Sequence, residues 1–362
     1  MRIEALTSLR FFAAILVVIF HFGRNTQLAD IAKPFIISGP QMVTFFFVLS
    51  GFVMLVAHYH KKNEGLRKFY VARIARIVPV YILALLLVIF LYYGKGNNNI
   101  TSVLLSVTFL QSWFTPYPLS LNSPAWSLSV EALFYVSFPL VLFVIRSSRI
   151  SEVKLLFISV VFYFLTQAIL SNLMTINSEN GFSKTLHDMI YYFPVSHYCS
   201  FLLGVSGGYI YVKNREKFNQ SGYLSAVILV IAFLFIYILL QYPKIPVALI
   251  GFPLAYGSSF YSLFFLILIL CVAYSRNIMT MVLSFPLLVL LGESSYALYI
   301  LQKPLHALYS GIIAEHLSLG ENGHFYLFSS MLIAISILVF VFIEKPGKQL
   351  IFKIDSYVSR KI

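Results

Sequence analysis

Long apolar stretches separated by short polar segments dominate the pattern of this chain. A membrane-spanning helix needs roughly 20 mostly apolar residues, because each residue adds about 1.5 Å and the hydrocarbon core is about 30 Å thick. The pattern therefore predicts an all-α protein, a bundle of about ten membrane-spanning helices. The predicted spans lie near residues 6–24, 42–60, 77–93, 125–145, 154–172, 188–212, 222–241, 247–274, 294–314 and 325–343.

Two further apolar segments, 101–115 and 279–292, are too short to cross, so we predict re-entrant or interfacial pieces there. Lys and Arg concentrate in alternate loops, a bias that marks the cytoplasmic side of a membrane protein. With about ten spans, this alternation places both termini in the cytoplasm. One additional crossing at 101–115 would invert the orientation of everything after it. The basic segments are 61–76, 146–154, 213–217 and the stretch after residue 344.

Composition excludes a soluble domain, because only 11% of the residues are charged and 59% are hydrophobic, whereas soluble domains carry about 25% charged residues. The net charge of +13 comes mainly from the loops, so we predict no nucleic-acid partner. Cys199 and Cys271 both lie in apolar stretches, which predicts neither a disulfide framework nor a cysteine metal site. The first apolar stretch lacks a small-residue cleavage pattern, so we predict a retained span.

Two ionisable residues, Arg10 and His21, interrupt the first apolar stretch. Eleven helical residues bring the second side chain back to within about 20° of the first, roughly 16 Å further along the axis. Ionisable groups inside spans usually face a cavity or a partner, so we expect both to line one polar cavity. The alternatives are an interfacial anchor for Arg10 and a structural, hydrogen-bonded imidazole for His21.

Three further charged residues are candidates for chemistry. Glu131 lies about two turns inside the fourth predicted span, at a depth similar to that of His21, which predicts an imidazole–carboxylate couple able to move a proton. Arg73 and Arg76 lie one turn apart near the cytoplasmic surface, where adjacent guanidinium groups suit phosphates. For Glu131 the alternative is a structural buried pair with His21. For Arg73 and Arg76 the alternative is a role in membrane orientation alone. No histidine and carboxylate set has metal-ligand spacing, so we predict no metal.

The ninth predicted span adds Gln302, Lys303 and His306. Gln302 and His306 are four residues apart and therefore share one helix face. For Lys303 we predict a side chain that extends along the helix and places its charged end at the membrane surface.

Six short motifs, taken together and in order, resemble the acyltransferase-3 family of membrane acyltransferases. The resemblance covers essentially the whole chain, and the order makes it more specific than any single motif. Two positions depart from the family pattern, because Thr44 stands where an acidic residue is common and Gln302 where a histidine is frequent. The motifs are Arg10 with His21, FFFVLSGF (45–52), RIARIVPVY (73–81), WSLSVEALFY (126–135), SYALYIL (295–301) and EKP (344–346).

The resemblance implies transfer of an acetyl group from cytosolic acetyl-CoA to a carbohydrate of the bacterial envelope, in the inner membrane. It implies catalytic roles for His21 and Glu131, and acetyl-CoA binding by Arg10, Arg73 and Arg76. Gln302 can hydrogen-bond but cannot titrate, so it is predicted as a substrate contact and not as a proton carrier. The acceptor contacts implied are Trp126, Ser127, Tyr296 and Gln302.

The domain prediction is a transmembrane acyltransferase domain over 1–345, followed by a short basic cytoplasmic tail over 346–362. A soluble hydrolase-like domain, which many relatives carry, is not expected after it. Two other functions remain open from the sequence. One is a secondary transporter or flippase that uses the same charges as a proton relay. The other is an acyltransferase that modifies a small molecule or a lipid.

Overall fold

The computed structural model describes residues 3–31, 34, 38–61, 65–92, 99–216 and 222–359. The regular structure of these residues is helical throughout, which confirms the predicted all-α fold. The α-helices are α1 Glu4–Phe22, α2 Gln27–Ile31, α3 Gly39–His58, α4 Leu66–Tyr92, α5 Ile100–Val107, α6 Trp126–Ser147, α7 Glu152–Glu179, α8 Lys184–Tyr191, α9 Tyr198–Asn214, α10 Gly222–Gln241, α11 Lys244–Ile250, α12 Ser262–Tyr274, α13 Ile278–Leu283, α14 Pro286–Leu308, α15 Glu321–Val339 and α16 Lys345–Ser359.

Short tight turns and wider π turns link several of these helices. The 3₁₀ turns are Gln111–Trp113, Ser123–Ala125, Pro194–His197 and Ala314–His316, and the π turns are Tyr309–Ile313 and Phe340–Glu344.

Six helices among the described residues are long and apolar enough to cross a membrane. They correspond to the first five predicted spans and to the last one. Their bounds are Glu4–Phe22, Gly39–His58, Leu66–Leu91, Ser123–Ser147, Glu152–Glu179 and Glu321–Ser359.

Two predicted spans are each divided in the structure. The predicted span 188–212 consists of part of α8, the turn Pro194–His197 and most of α9. The predicted span 247–274 was wrong as one helix, because α11 ends at Ile250 and α12 begins only at Ser262. Gly251 follows α11 with φ of 80°, a left-handed conformation that glycine adopts without steric cost and that commonly ends a helix.

The two predicted short segments have different outcomes. The segment 101–115 contains α5, whose eight residues cover only about 12 Å and cannot cross a bilayer. The segment 279–292 was wrong as a separate piece, because α14 begins at Pro286 and takes in its second half. Proline is favoured at the first helical position, where its missing N–H is not needed. Lys62, Lys217 and residues 93–98, which follow the third predicted span, lie outside the described residues.

Residues Lys345–Ser359 form the helix α16, which packs along α4. Arg67 Nε donates to Asp355 Oδ1 at 2.7 Å. Gly347 lies so close to Pro79 that an added Cβ would be 2.7 Å from the proline Cβ. As far as Ser359, the predicted tail is therefore a helix on the surface of the bundle.

Close backbone approaches at glycine hold the bundle together. An added Cβ on Gly204 of α9 would lie 2.0 Å from the carbonyl oxygen of Val48 in α3. An added Cβ on Gly292 of α14 would lie 2.0 Å from the carbonyl oxygen of Thr7 in α1. Small residues allow such contacts, which matter in lipid because apolar burial between helices contributes little there. The second contact brings α1 close to α14, and these two helices carry His21 and Gln302.

Candidate active site

Arg10, Arg73 and Arg76 lie around one cavity of about 220 Å³, together with Glu131 and Tyr135; we call it the arginine cavity. α4 begins at Leu66, so its two arginines lie two to three turns inside the helix and not at its start, where the sequence pattern had placed them. Three guanidinium groups and one carboxylate give this lining a formal charge of +2. The predicted cluster of cofactor-binding arginines is thus brought together by α1 and α4.

Glu131 is oriented within the arginine cavity by its own helix. The Tyr135 hydroxyl donates to Glu131 Oε2 at 2.5 Å, across one turn of α6. The Arg73 guanidinium lies over the Tyr135 ring, 5.9 Å from its centroid, and over the Phe69 ring at 5.5 Å. Glu131 therefore shares its cavity with the arginine guanidinium groups, and Tyr135 contacts both Glu131 and Arg73.

Glu344, the acidic residue of the EKP motif, lies near the arginines of this cavity, and the sequence pattern did not predict that position. It is buried, it lies within electrostatic range of Arg76 and Arg10, and its Oε2 has no hydrogen-bond partner in the described residues. Arg10 and Arg76 form no hydrogen bond or ion pair with any residue that the structure describes. A cavity with spare guanidinium donors can bind an anion such as a phosphate.

His21 lies in a second cavity of about 400 Å³, which we call the histidine cavity. Five aromatic side chains line it, together with Lys303 and His187. The aromatic members are Phe20, Trp126, Tyr191, Tyr192 and Tyr299.

Gln302 determines which ring nitrogen of His21 carries the proton in the neutral imidazole. Its Nε2 donates to the carbonyl oxygen of Tyr299 at 2.7 Å, and a carbonyl can only accept, so the Gln302 Oε1 must face His21. That oxygen is 2.8 Å from His21 Nδ1, which therefore carries the proton. The neutral ring then has its lone pair on Nε2, and no residue in the described ranges bonds to it. This is the form that a general base needs.

Gln302 is 0% exposed and both of its amide atoms are engaged, so the predicted role as a substrate contact does not match its position. It is a positioning residue behind His21. The partner across this hydrogen bond is 281 residues away in sequence, and for that reason the pattern alone could not reveal it.

The structure does not bring His21 and Glu131 together as the predicted couple. Trp126, the first residue of α6, lines the histidine cavity, whereas Glu131 lies about 7.5 Å further along that helix and lines the arginine cavity. The sequence pattern had placed both groups at one depth because it gives the start of a span only approximately.

A small cavity of about 40 Å³ lies between the two larger ones, and we call it the passage. Arg10 and Glu131 line both it and the arginine cavity, while Tyr299 lines both it and the histidine cavity. Ser127 and Tyr296 complete its wall. Of the predicted acceptor contacts, Trp126 is therefore in the histidine cavity, and Ser127 and Tyr296 are in the passage.

Hydrogen bonds to backbone carbonyls hold the passage residues. The Tyr296 hydroxyl donates to the Ile77 carbonyl at 3.1 Å, which ties α14 to α4. The Tyr299 hydroxyl and Ser127 Oγ both donate to the Pro124 carbonyl, at 3.0 and 3.1 Å. In the described part of the chain, no group of three or more His, Cys, Asp or Glu side chains is placed to hold a metal ion.

Comparison with known proteins identifies relatives along most of the chain. A family profile described as an acyltransferase domain matches residues 3–343. A Haemophilus influenzae protein of unassigned function is 30% identical over 178 residues, which is 44% of this chain and 70% of that protein. Acyltransferase MdmB of Streptomyces mycarofaciens is 31% identical over 153 residues, 38% of this chain and 39% of that protein.

A Staphylococcus aureus protein named "Putative O-acetyltransferase" is 24% identical over 327 residues, which is 82% of this chain. The match spans about half the length of that relative, at 50%. No solved structure matches the chain at a significant level.

Proposed function

Because this chain belongs to the acyltransferase family whose profile matches residues 3–343, we propose that it moves an acetyl group from cytosolic acetyl-CoA to a hydroxyl of an envelope carbohydrate. The acceptor would be a unit of O-antigen, capsule or exopolysaccharide. The observation that carries the proposal is the pair of cavities along α1, one with guanidinium groups and one with a histidine whose Nδ1 is bonded to Gln302, with the passage between them. The enzyme would lie in the bacterial inner membrane with both termini in the cytoplasm.

The arginine cavity would bind the donor. Guanidinium groups suit phosphates because their planar donors match phosphate oxygens two at a time, and Arg10 and Arg76 have spare donors. The slender pantetheine arm would then extend through the passage between Ser127 and Tyr296. Roughly 16 Å of helix separates Arg10 from His21, so the phosphates and the reacting thioester would be held at different depths.

The histidine cavity would hold the acceptor hydroxyl at His21 Nε2. This nitrogen takes the hydroxyl proton while the oxygen forms a bond to the thioester carbonyl carbon. The carbon–sulfur bond then breaks, and the same nitrogen returns the proton to the leaving thiolate of CoA. The lone pair on Nε2 could instead form a transient acetyl-imidazole. In either course Gln302 holds the ring and keeps the proton on Nδ1.

The proposal is tested with purified protein in lipid nanodiscs, supplied with labelled acetyl-CoA and envelope glycans from a strain that lacks the gene. We expect label to appear on the glycan with wild-type protein and not with His21→Gln. A liposome assay without acyl-CoA separates the transporter alternative, because a flippase would move lipid-linked glycan under those conditions. Transport without acetylation would contradict the proposed function, and acetylation of a small molecule or lipid in place of the glycan would change the acceptor.

A further inference from the structure

The histidine cavity has an unbalanced charge. Its basic lining groups are His21, His187 and Lys303, and none of its lining residues in the described chain is Asp or Glu. A buried carboxylate next to one of them in sequence, Asp188 of α8, has oxygens 3.4 Å from Lys184 Nζ and 3.5 Å from His187 Nδ1. It therefore does not neutralise Lys303.

Lys303 differs from the surface-directed side chain that its sequence position suggests. It follows Gln302 in α14, it is half-buried, and it lines the same cavity as His21. Its ammonium lies 5.5 Å from the centroid of the Phe22 ring, beside His21 in sequence. No hydrogen bond or ion pair joins Lys303 to another residue that the structure describes. A partly desolvated cation without a counter-ion favours binding of an anion.

We propose that the acceptor is an anionic hydroxyl compound, whose carboxylate or phosphate pairs with Lys303 while its hydroxyl lies at His21 Nε2. The inference rests on the proposed function and narrows its substrate class. The aromatic walls, Trp126, Tyr191 and Tyr192, supply faces against which the apolar side of a sugar ring packs. The anion has two sources of the same chemistry, a uronic-acid carboxylate within the glycan or the phosphate that links a glycan to its lipid carrier.

Binding is measured in nanodiscs with three matched probes: methyl glucoside, which is neutral, methyl glucuronide, which carries a carboxylate, and glucose 1-phosphate. Trp126 lines the cavity, so its fluorescence reports binding without turnover in a Trp113→Phe background. A charge-assisted hydrogen bond contributes enough to strengthen binding about 10- to 100-fold. We expect the charged probes to bind tighter than the neutral probe by that factor, and the better of the two identifies the source of the anion.

Lys303→Met should remove the preference and leave the affinity for methyl glucoside within about twofold, because an exchange of the charge alone leaves the apolar stem. Lys213→Met is the matched control, since Lys213 also lies over aromatic rings, 5.9 and 5.6 Å from those of Tyr59 and Tyr209, and does not line the cavity. Equal binding of all three probes by the wild type, no detectable binding of any, or equal weakening of all three by Lys303→Met would overturn the inference.

Transfer of labelled acetyl groups to the same probes is followed in parallel. Transfer without a charge preference would reject the anionic acceptor alone and leave the acyltransferase proposal standing. A charge preference in binding without transfer from acetyl-CoA to any probe or glycan would reject the proposed function and leave the anion site as a binding site.

Discussion

The arginine cavity and the histidine cavity differ in how they are built. The first is formed by long helices, α1, α3, α4 and α6, and its charged groups come from regular helical positions. The second has α1, α3 and α14 on one side but short or irregular pieces on the other, including α8 and the segments around Leu119 and Gly257. A donor that never changes suits a site on rigid elements, whereas loops allow an acceptor site to vary.

The orientation of the two cavities in the membrane predicts the largest effect, because each test cysteine is either labelled from outside the cell or not. If the arginine cavity opens to the cytoplasm, Asn180 at the end of α7 lies outside and Asn214 at the end of α9 lies inside. Single cysteines at these positions, in a Cys199→Ala, Cys271→Ala background, should react oppositely with an impermeant maleimide added to intact cells. Labelling of Asn180→Cys only after the cells are opened, with Asn214→Cys labelled in intact cells, would reverse the assignment and contradict the predicted orientation.

The donor role of the arginine cavity gives the next largest effect. Arg73→Ala with Arg76→Ala should raise the KM for acetyl-CoA by about 10² to 10⁴-fold, since each lost charge-assisted hydrogen bond costs about 1.5–3 kcal/mol. Lysine replacements should recover only part of this, because the planar donor pair is lost. Arg146→Ala is the control, as this arginine caps carbonyls of the α3 end, His58 and Tyr59, instead. Unchanged acetyl-CoA affinity in the folded double variant would leave these arginines as orientation signals.

Replacement of Gln302 tests the histidine cavity, and we expect a smaller loss of activity from it. Gln302→Leu should lower kcat about 10- to 100-fold, because the proton on His21 Nδ1 loses its acceptor and Nε2 is no longer held as the base. The KM for acetyl-CoA should stay within about twofold, since the donor site is elsewhere. Gln167→Leu is the matched control. Gln167 also lies in a predicted span, its Nε2 donates to Ser259 Oγ at 2.9 Å, and it lines neither cavity. A raised KM for acetyl-CoA with kcat unchanged would place Gln302 on the donor side.

Tyr296 in the passage gives the smallest effect. Its hydroxyl is engaged with the Ile77 carbonyl, so Tyr296→Phe should cost only about 0.5–1.5 kcal/mol of stability and lower kcat less than about fivefold. Tyr81→Phe, which removes a comparable bond to the Ser106 carbonyl at 2.8 Å, is the control for stability. A loss of activity as large as that of His21→Gln would show that the hydroxyl itself takes part in the reaction.

Sequence patterns predicted the fold best where a span is one uninterrupted helix. α1, α3 and α6 lie within a few residues of their predicted ranges, because hydropathy and length determine them. The break between α11 and α12 was missed because residues 251–261 are themselves largely apolar, so hydropathy alone does not separate the two helices. Gly251 was the available signal.

The candidate site was predictable as far as helix periodicity reaches. The expectation that Arg10 and His21 line one cavity was wrong, because they line two different cavities along α1. The arginines of α4 do line the same cavity as Arg10. The partner of Gln302 and the cavity that Glu131 lines depend on where helices begin and how they cross, which no local pattern contains. Glu344 carried a signal in the EKP motif, but its position near Arg76 and Arg10 depends on how the π turn Phe340–Glu344 packs.

The separation of donor binding from proton transfer is tested most directly by two variants on α1, with acetyl-CoA affinity and glycan acetylation measured on the same samples. His21→Gln should bind acetyl-CoA as wild type does and lose acetylation by at least about 10² to 10⁴-fold, because glutamine hydrogen-bonds without titrating. Arg10→Ala should lose acetyl-CoA affinity. Near-normal acetylation by His21→Gln would make the histidine structural and contradict the account.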